Sequence, residues 1–261
     1  ALLPLIAVVL GSFRIRETGS NEISFRWGFE GWKEAIDGSY SFPPLSEALL
    51  NSLGYASIAL LISLPLGYML ASTIYHLERS NKKTATLLDV FTMLPFALSA
   101  AMIGLGVLLG IIKLDASSAY RFWPLPALAH IMLTTPFVVR IILPRLRSYD
   151  LSYDENAQVI GMNSIEIFYK IKLPLIKGSI VVAMIFTLAM SLGEFGASYI
   201  VARNSDWTTL PVLIDSLRAK PMKDSFTEPA SNAVATVLML MTMVLFLVAE
   251  RFRTDRDGGM F

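Results

Sequence analysis

The chain has 261 residues, 54% of them hydrophobic and 16% charged, with no cysteine and a formal net charge of +1. Disulfides and thiolate metal sites are therefore excluded, and the near-zero net charge argues against a nucleic-acid partner, which would favour a basic patch. The apolar residues are gathered into runs of bilayer-crossing length, whereas a water-soluble domain would show short periodic segments with polar faces.

Residues 2–11 form an apolar run too short to cross a bilayer. Without an initiator Met or a basic flank it does not read as a signal peptide. It reads as the end of a first span begun upstream. Residues 12–46 are polar, with Arg14, Arg16, Glu17, Glu22 and Glu30. Trp27 and Trp32 in this stretch suit either headgroup-level anchors or ordinary loop packing. Residues 1–48 are thus expected to comprise a span end and an extracytoplasmic loop.

A single transmembrane domain is expected over 49–252. Its first complete span is 49–75, with Pro65 and Gly67, breakers that membrane helices tolerate when neighbours satisfy the backbone. After a short basic loop with Arg79, Lys82 and Lys83 comes a span over 87–112, with Pro95, Gly104, Gly106 and Gly110. The glycines predict close helix packing; Gly106 and Gly110 have GxxxG spacing, read as packing within the chain. Beyond a short loop at 113–122, span 123–143 carries His130, Pro136 and Arg140, and span 176–202 carries Glu194. The 203–229 stretch is polar, 230–249 is the last span, and 253–261 is a cytoplasmic tail. Short loops and span ends set orientation. Arg79, Lys82, Lys83, Arg145, Arg147, Arg251 and Arg253 put the first loop, the 152–178 loop and the tail in the cytoplasm. Asn81 and Asn163 then face inward and Asn204 outward.

The polar stretch 152–178 has its own local grammar. Ser152 and Glu155 have capping-box spacing, Gly161 stands where a short helix would end, and Asn163 with Glu166 signals a second start. Pro174 is tolerable where the next helix begins. The expected order is helix, sharp Gly corner, helix, span.

Glu155, Ala157, Gly161, Ile171, Leu173 and Pro174 resemble, in register, the EAA loop of ABC-importer permeases, with Asn156 departing from the usual Ala. In that family the loop is a pair of coupling helices, here 152–174, that would present Glu155 and Ala157 to a cytoplasmic ATPase. The resemblance extends to Asn51-Ser52-Leu53, Leu94-Pro95, Pro136-Phe137-Val138-Val139-Arg140 and Leu192-Gly193-Glu194-Phe195-Gly196. These are similar to permeases of the thiamine, ferric-iron and molybdate/sulfate type. The fold it implies is all-α, a polytopic helical bundle of the type I ABC importer permease (MetI-like) class. It would be multi-pass in the plasma (inner) membrane of a prokaryote.

Groups for bond-making chemistry are sparse. No G-x-x-x-x-G-K-[ST] phosphate loop, His-Glu-x-x-His zinc motif or placeable catalytic triad occurs. An ionisable residue inside a span is costly and tends to face a bundle interior or cavity. Glu194, with Ser191 and Phe195 beside it, therefore has a functional reading, as a wall of the solute path or a hinge-side polar contact between subunits, and a structural one, as partner for a buried basic group such as Arg140. Arg140 reads as snorkelling to the cytoplasmic side, and His130 as a hydrogen-bonded packing residue.

The family resemblance implies no cofactor on this chain, with ATP and Mg on a partner ATPase. Its implied partners are a cytoplasmic ABC ATPase dimer, an extracytoplasmic solute-binding protein, a second permease half or subunit, and the bilayer; nucleic acid is not among them. Thiamine, ferric iron and an oxyanion stay open as cargo. The competing class, an ATP-independent secondary transporter or channel, would need coupling-ion ligands at midplane helix breaks, for which only Glu194 offers itself.

Overall fold

The computed structural model describes residues 3–18, 23–38, 42–115, 121, 123–150, 152–202, 205–219 and 225–254. Glu22, Asn204, most of the loop at 113–122 and residues 255–261 of the tail lie outside them.

Long apolar runs give long helices, since only a helix satisfies every backbone group within one segment in lipid. Among the described residues, four helices are long and apolar enough to cross a membrane: Leu45–Ser80, Leu125–Arg147, Ser164–Leu192 and Thr227–Arg251. In chain order the helices begin with α1 (Leu3–Gly11), α2 (Glu30–Asp37) and α3 (Leu45–Ser80). Then come α4 (Lys82–Ala97), α5 (Ala100–Leu114) and α6 (Leu125–Arg147). The polar stretch gives α7 (Ser152–Val159) and α8 (Ser164–Ile167), followed by α9 (Leu173–Leu192) and α10 (Gly196–Val201). The chain closes with α11 (Leu210–Arg218) and α12 (Thr227–Thr254). At 36 residues α3 is roughly 54 Å long, well beyond the ~30 Å hydrocarbon thickness. One of its ends therefore projects.

Helices α3 and α6 run parallel and close together. Gly67 makes this possible, because a Cβ there would lie 2.5 Å from Val138 Cγ1. At one end Tyr75 of α3 meets Tyr149 just after α6; at the other Tyr55 stacks on Trp123 with ring centroids 5.0 Å apart. Helix α9 runs back between these ends. A core of Ala71, Ile74, Val138, Ile142, Ile176 and Ala183 joins the three helices. A second core brings α2, α11 and the start of α12 together through Ala35, Leu213, Leu217 and Ala233.

Three expectations need correction. The span expected over 87–112 is two helices, α4 and α5, bent by 98° at Leu98–Ser99. Pro95 leaves a carbonyl without its helical partner, and Ser99 Oγ accepts from Met102 N at 3.3 Å to start a new helix. The span expected over 176–202 stops at Leu192, and Gly193–Phe195 separates it from α10. The helical bundle expected is the fold found, and among the described residues it carries in addition an antiparallel hairpin of β1 (Arg14–Thr18) and β2 (Ile23–Trp27), with Arg14 opposite Trp27. Among the described residues a Cβ on Gly106 or Gly110 would meet nothing within 4 Å, whereas Gly104 lies against the α10 backbone, 2.7 Å from Ala197 Cα to a notional Cβ.

Smaller outcomes follow the same lines. Helix α11 lies inside the stretch read only as polar. Trp32 packs inward and donates to Ser12 Oγ at 3.1 Å, while Trp27 stands exposed.

Candidate functional site

At the end where α3 and α6 finish, α7 and α8 make the corner. Helix α7 is preceded by Asp150, whose Oδ1 accepts from Ser152 N at 2.9 Å. The Ser152 backbone N–H and hydroxyl hold the Asp150 carboxyl below the usual carboxylate range. The start signal thus lies two residues ahead of the expected Ser152. The helix ends in a Schellman arrangement: Met162 N donates to Ala157 O at 3.0 Å and Gly161 N to Gln158 O at 2.9 Å. Gly161 takes φ 84°, a left-handed conformation that side chains resist. The Asn163–Glu166 capping box is complete, with Glu166 N on Asn163 Oδ1 at 2.9 Å and Asn163 N on Glu166 Oε2 at 3.1 Å.

The second coupling helix is not separate from the following span. Residues 164–192 form one helix with a π-turn, Phe168–Lys172, in which Leu173 N reaches back to Phe168 O. Pro174 therefore sits inside a helix rather than at its start. Its ring would crowd the carbonyl four residues back and offers no N–H. The wider π-turn immediately before it accommodates both demands.

Glu155 and Asn156 are exposed on α7, but Ala157 is buried against the bundle, so the EAA-like residues divide between two faces. Glu155 and Asn156 are flanked along the chain by exposed apolar side chains, Tyr153, Val159 and Ile160, and Ile165 of α8 is exposed as well. Ile171 and Leu173 are half-buried and Pro174 exposed. Asp154, which the sequence reading passed over, is buried between Tyr149, donating at 2.6 Å, and Lys172, paired at 2.7 Å. Burial, then the Asp154 carboxylate, push the Tyr149 hydroxyl far above the usual phenol range, so it remains a donor.

Toward the opposite end, the two helix breaks meet. Gly196 at the start of α10 lies against Ala100 at the start of α5; a Cβ on Gly196 would sit 3.3 Å from Ala100 Cβ. Beside this junction is a cavity of about 320 Å³ lined by residues that include His130, Thr134, Ser191, Glu194 and Phe195. Ser191, Glu194 and Phe195 thus line one cavity, together with His130.

Glu194 is fully engaged. Its Oε1 accepts from Ala197 N at 2.7 Å, and Oε2 from Ser198 N and Ser198 Oγ, both at 2.9 Å. The carboxylate thereby satisfies free N–H groups at the start of α10. His130, buried, bridges Ser191 Oγ at Nδ1 (2.6 Å) and Ser198 Oγ at Nε2 (2.8 Å), with Glu194 Oε2 3.3 Å from Nε2. One assignment satisfies every group: Nε2–H donates to Ser198, Ser198 donates to Glu194, and Ser191 donates to Nδ1. Glu194's basic neighbour is therefore His130 and not Arg140. Arg140 is exposed, 3.0 Å from Met93 Sδ and 3.9 Å from Asp89. Phe195 is 40% exposed and stacks on Tyr199.

Residues 63–254 match the family described as "Binding-protein-dependent transport system inner membrane component". The sulfate transport system permease protein CysT of Salmonella typhimurium is 32% identical over 172 residues, which cover 61% of this chain and 60% of that protein. The chain thus matches less than two thirds of that relative's length. The spermidine/putrescine transport system permease protein PotC of Escherichia coli is 26% identical over 259 residues, 98% of this chain and 90% of that protein. Among solved structures, a chain of a bacterial alginate ABC transporter aligns with a TM-score of 0.68 at 18% identity, covering 95% of this chain and 86% of that one. That transporter was crystallised with an alginate pentasaccharide-bound periplasmic protein. At this identity the likeness carries the fold, a bundle of the ABC importer permease class.

Proposed function

Because the chain belongs to the family of binding-protein-dependent transport system inner membrane components, we propose that it is a permease subunit of an ATP-driven importer. It walls part of the solute path and couples that path to ATP hydrolysis on a separate cytoplasmic ATPase. The observation that carries this reading is the α7–α8 corner. There Gly161 at φ 84° and the Asn163–Glu166 capping box hold an exposed patch beyond the ends of α3 and α6. A surface of this kind, apolar with charged neighbours, suits docking into a groove of a partner.

In this reading the corner faces the cytoplasm of a prokaryote and the chain lies in the plasma (inner) membrane. A second permease half or subunit encloses the path, and an extracytoplasmic binding protein delivers the solute to the face bearing α2 and α11. Mg and ATP bind the ATPase dimer; its closure pushes the corners of the two permeases together. The junction of α5 and α10 forms the path wall on this side, with Glu194, Ser191 and Phe195 beside it. Discontinuous helices at an internal cavity are a recurring way to present polar groups to a solute in a membrane. The name of the CysT relative makes an oxyanion the first cargo to test, ahead of thiamine and ferric iron.

The test is uptake by the reconstituted complex with its binding protein. Uptake should need hydrolysable ATP and fail with a non-hydrolysable analogue. Uptake driven by an ion gradient without the ATPase would instead identify an ATP-independent transporter.

A further inference from the structure

Two helices meet at one carboxylate of the corner, the end of α6 through Tyr149 and the base of α9 through Lys172, and α3 joins them through the Tyr149 carbonyl. Asp154 of α7 accepts from Tyr149 Oη at 2.6 Å through Oδ1 and pairs with Lys172 Nζ at 2.7 Å through Oδ2. Lys172 closes the π-turn from which α9 rises. Tyr149 directly follows α6, and its carbonyl accepts from Tyr75 Oη of α3 at 3.5 Å. Arg79 in turn donates to Tyr75 Oη at 2.8 Å. The same π-turn touches α3 directly, where Phe168 packs edge-on against Tyr68 at 5.5 Å.

The chemistry of this cluster is that of a joint. Both Asp154 oxygens are occupied and the side chain is 13% exposed, with Lys172 at 23%. A pair so enclosed is screened little by salt. Removing one member leaves the other charge buried and uncompensated, which costs far more than the loss of a surface pair. The other ionic contacts nearby are of a different kind: Glu166–Lys170 joins residues within one helix, and Arg147–Glu78 ties α6 to α3 without reaching α7. Among the described residues, Asp154–Lys172 is the ion pair that links α7 to the base of α9.

We propose that Asp154 and Lys172 are positioning residues for coupling: their ion pair, braced by Tyr149, transmits displacement of α7 to α9, and through Tyr149 and Tyr75 to α6 and α3. This rests on the reading of the corner as the ATPase contact. Glu155 and Asn156 on the exposed face of α7 meet the partner; Asp154 on its inner face carries the movement onward. A π-turn suits this place, because its looser hydrogen bonding lets the base of α9 follow α7 without breaking the span.

The experiment uses the complete transporter in proteoliposomes, measuring solute imported per ATP hydrolysed and ATPase co-purification. Asp154→Asn and Lys172→Met should retain the ATPase yet lower imported solute per ATP at least about fivefold, the lower end of ordinary coupling between sites. The double variant should be no worse than either single one, and Lys172→Arg should stay coupled. Wild-type coupling in both single variants, or losses that multiply in the double variant, would overturn the proposal. Should Asp154→Asn fail to assemble, Lys172→Met against Lys172→Arg decides: both coupled refutes the joint, and only Lys172→Arg coupled supports it. An unmodified chain that never co-purifies with an ABC ATPase would refute the underlying reading instead.

Discussion

Glu194 and Gly161 are both residues whose placement gives them meaning. Glu194 stood out in the sequence because a carboxylate in an apolar run is costly, but its geometry answers that cost locally, with Ala197 N, Ser198 N and Ser198 Oγ as donors. Glu194→Leu should destabilise the purified protein by about 2 kcal/mol, since it strips a helix start of its cap and leaves buried donors unmet. Glu194→Gln retains an acceptor and should lose less, which thermal unfolding in detergent would show. If Glu194 also walls the path, the Gln variant will assemble but import solute poorly; normal import by both variants would remove that role. Gly161 offers a cleaner case, because a Cβ there meets nothing within 4 Å and the cost is purely one of backbone. Gly161→Val should insert normally, bind the ATPase weakly or hydrolyse ATP without transport, and lose roughly 1–2 kcal/mol at the corner. Gly161→Asn should be milder. Gly161 and the Asn163–Glu166 box were legible because both are local. Asp154 was not, since its partners Tyr149 and Lys172 meet it only once α6 and α9 are packed.

The elements show where hydropathy stops being informative. Every long apolar run was visible, but a run is silent about a bend inside it. Pro95 with Ser99, and Gly193 with Gly196, were the signals that two of the expected spans are broken. Such residues also occur in unbroken helices, as Pro65 does in α3 and Pro136 in α6. Tertiary contact decides between these outcomes: the broken ends fit because α5 and α10 pack backbone to backbone at Gly104 and Ala197. Gly104→Val should therefore force the two apart at a cost of about 1–3 kcal/mol or more. Gly106→Ala, whose added methyl meets none of the described residues, should cause no loss and raise stability by up to about 1 kcal/mol, since Ala is the better helix former. Equal loss in the two variants would mean that the α5–α10 contact is not made. The merging of α8 with α9 was hidden for a related reason. Pro174 reads as a helix start in sequence, and only the π-turn before it lets the helix run through.

At the scale of the whole molecule, the ends of α3 and α6, the α7–α8 corner and the base of α9 share one face; α2, α11 and the start of α12 share the other. The central claim is that the first of these faces meets an ATPase through the exposed side of α7. A single cysteine at Asn156, which is exposed on α7, tests it most directly, with one at Lys33 on α2 as the control for the opposite face. With a short bifunctional thiol reagent in membranes containing the assembled transporter, position 156 should cross-link to the ATPase and position 33 should not. Absence of a cross-link from 156 in an actively transporting complex, or one from 33, would contradict the account.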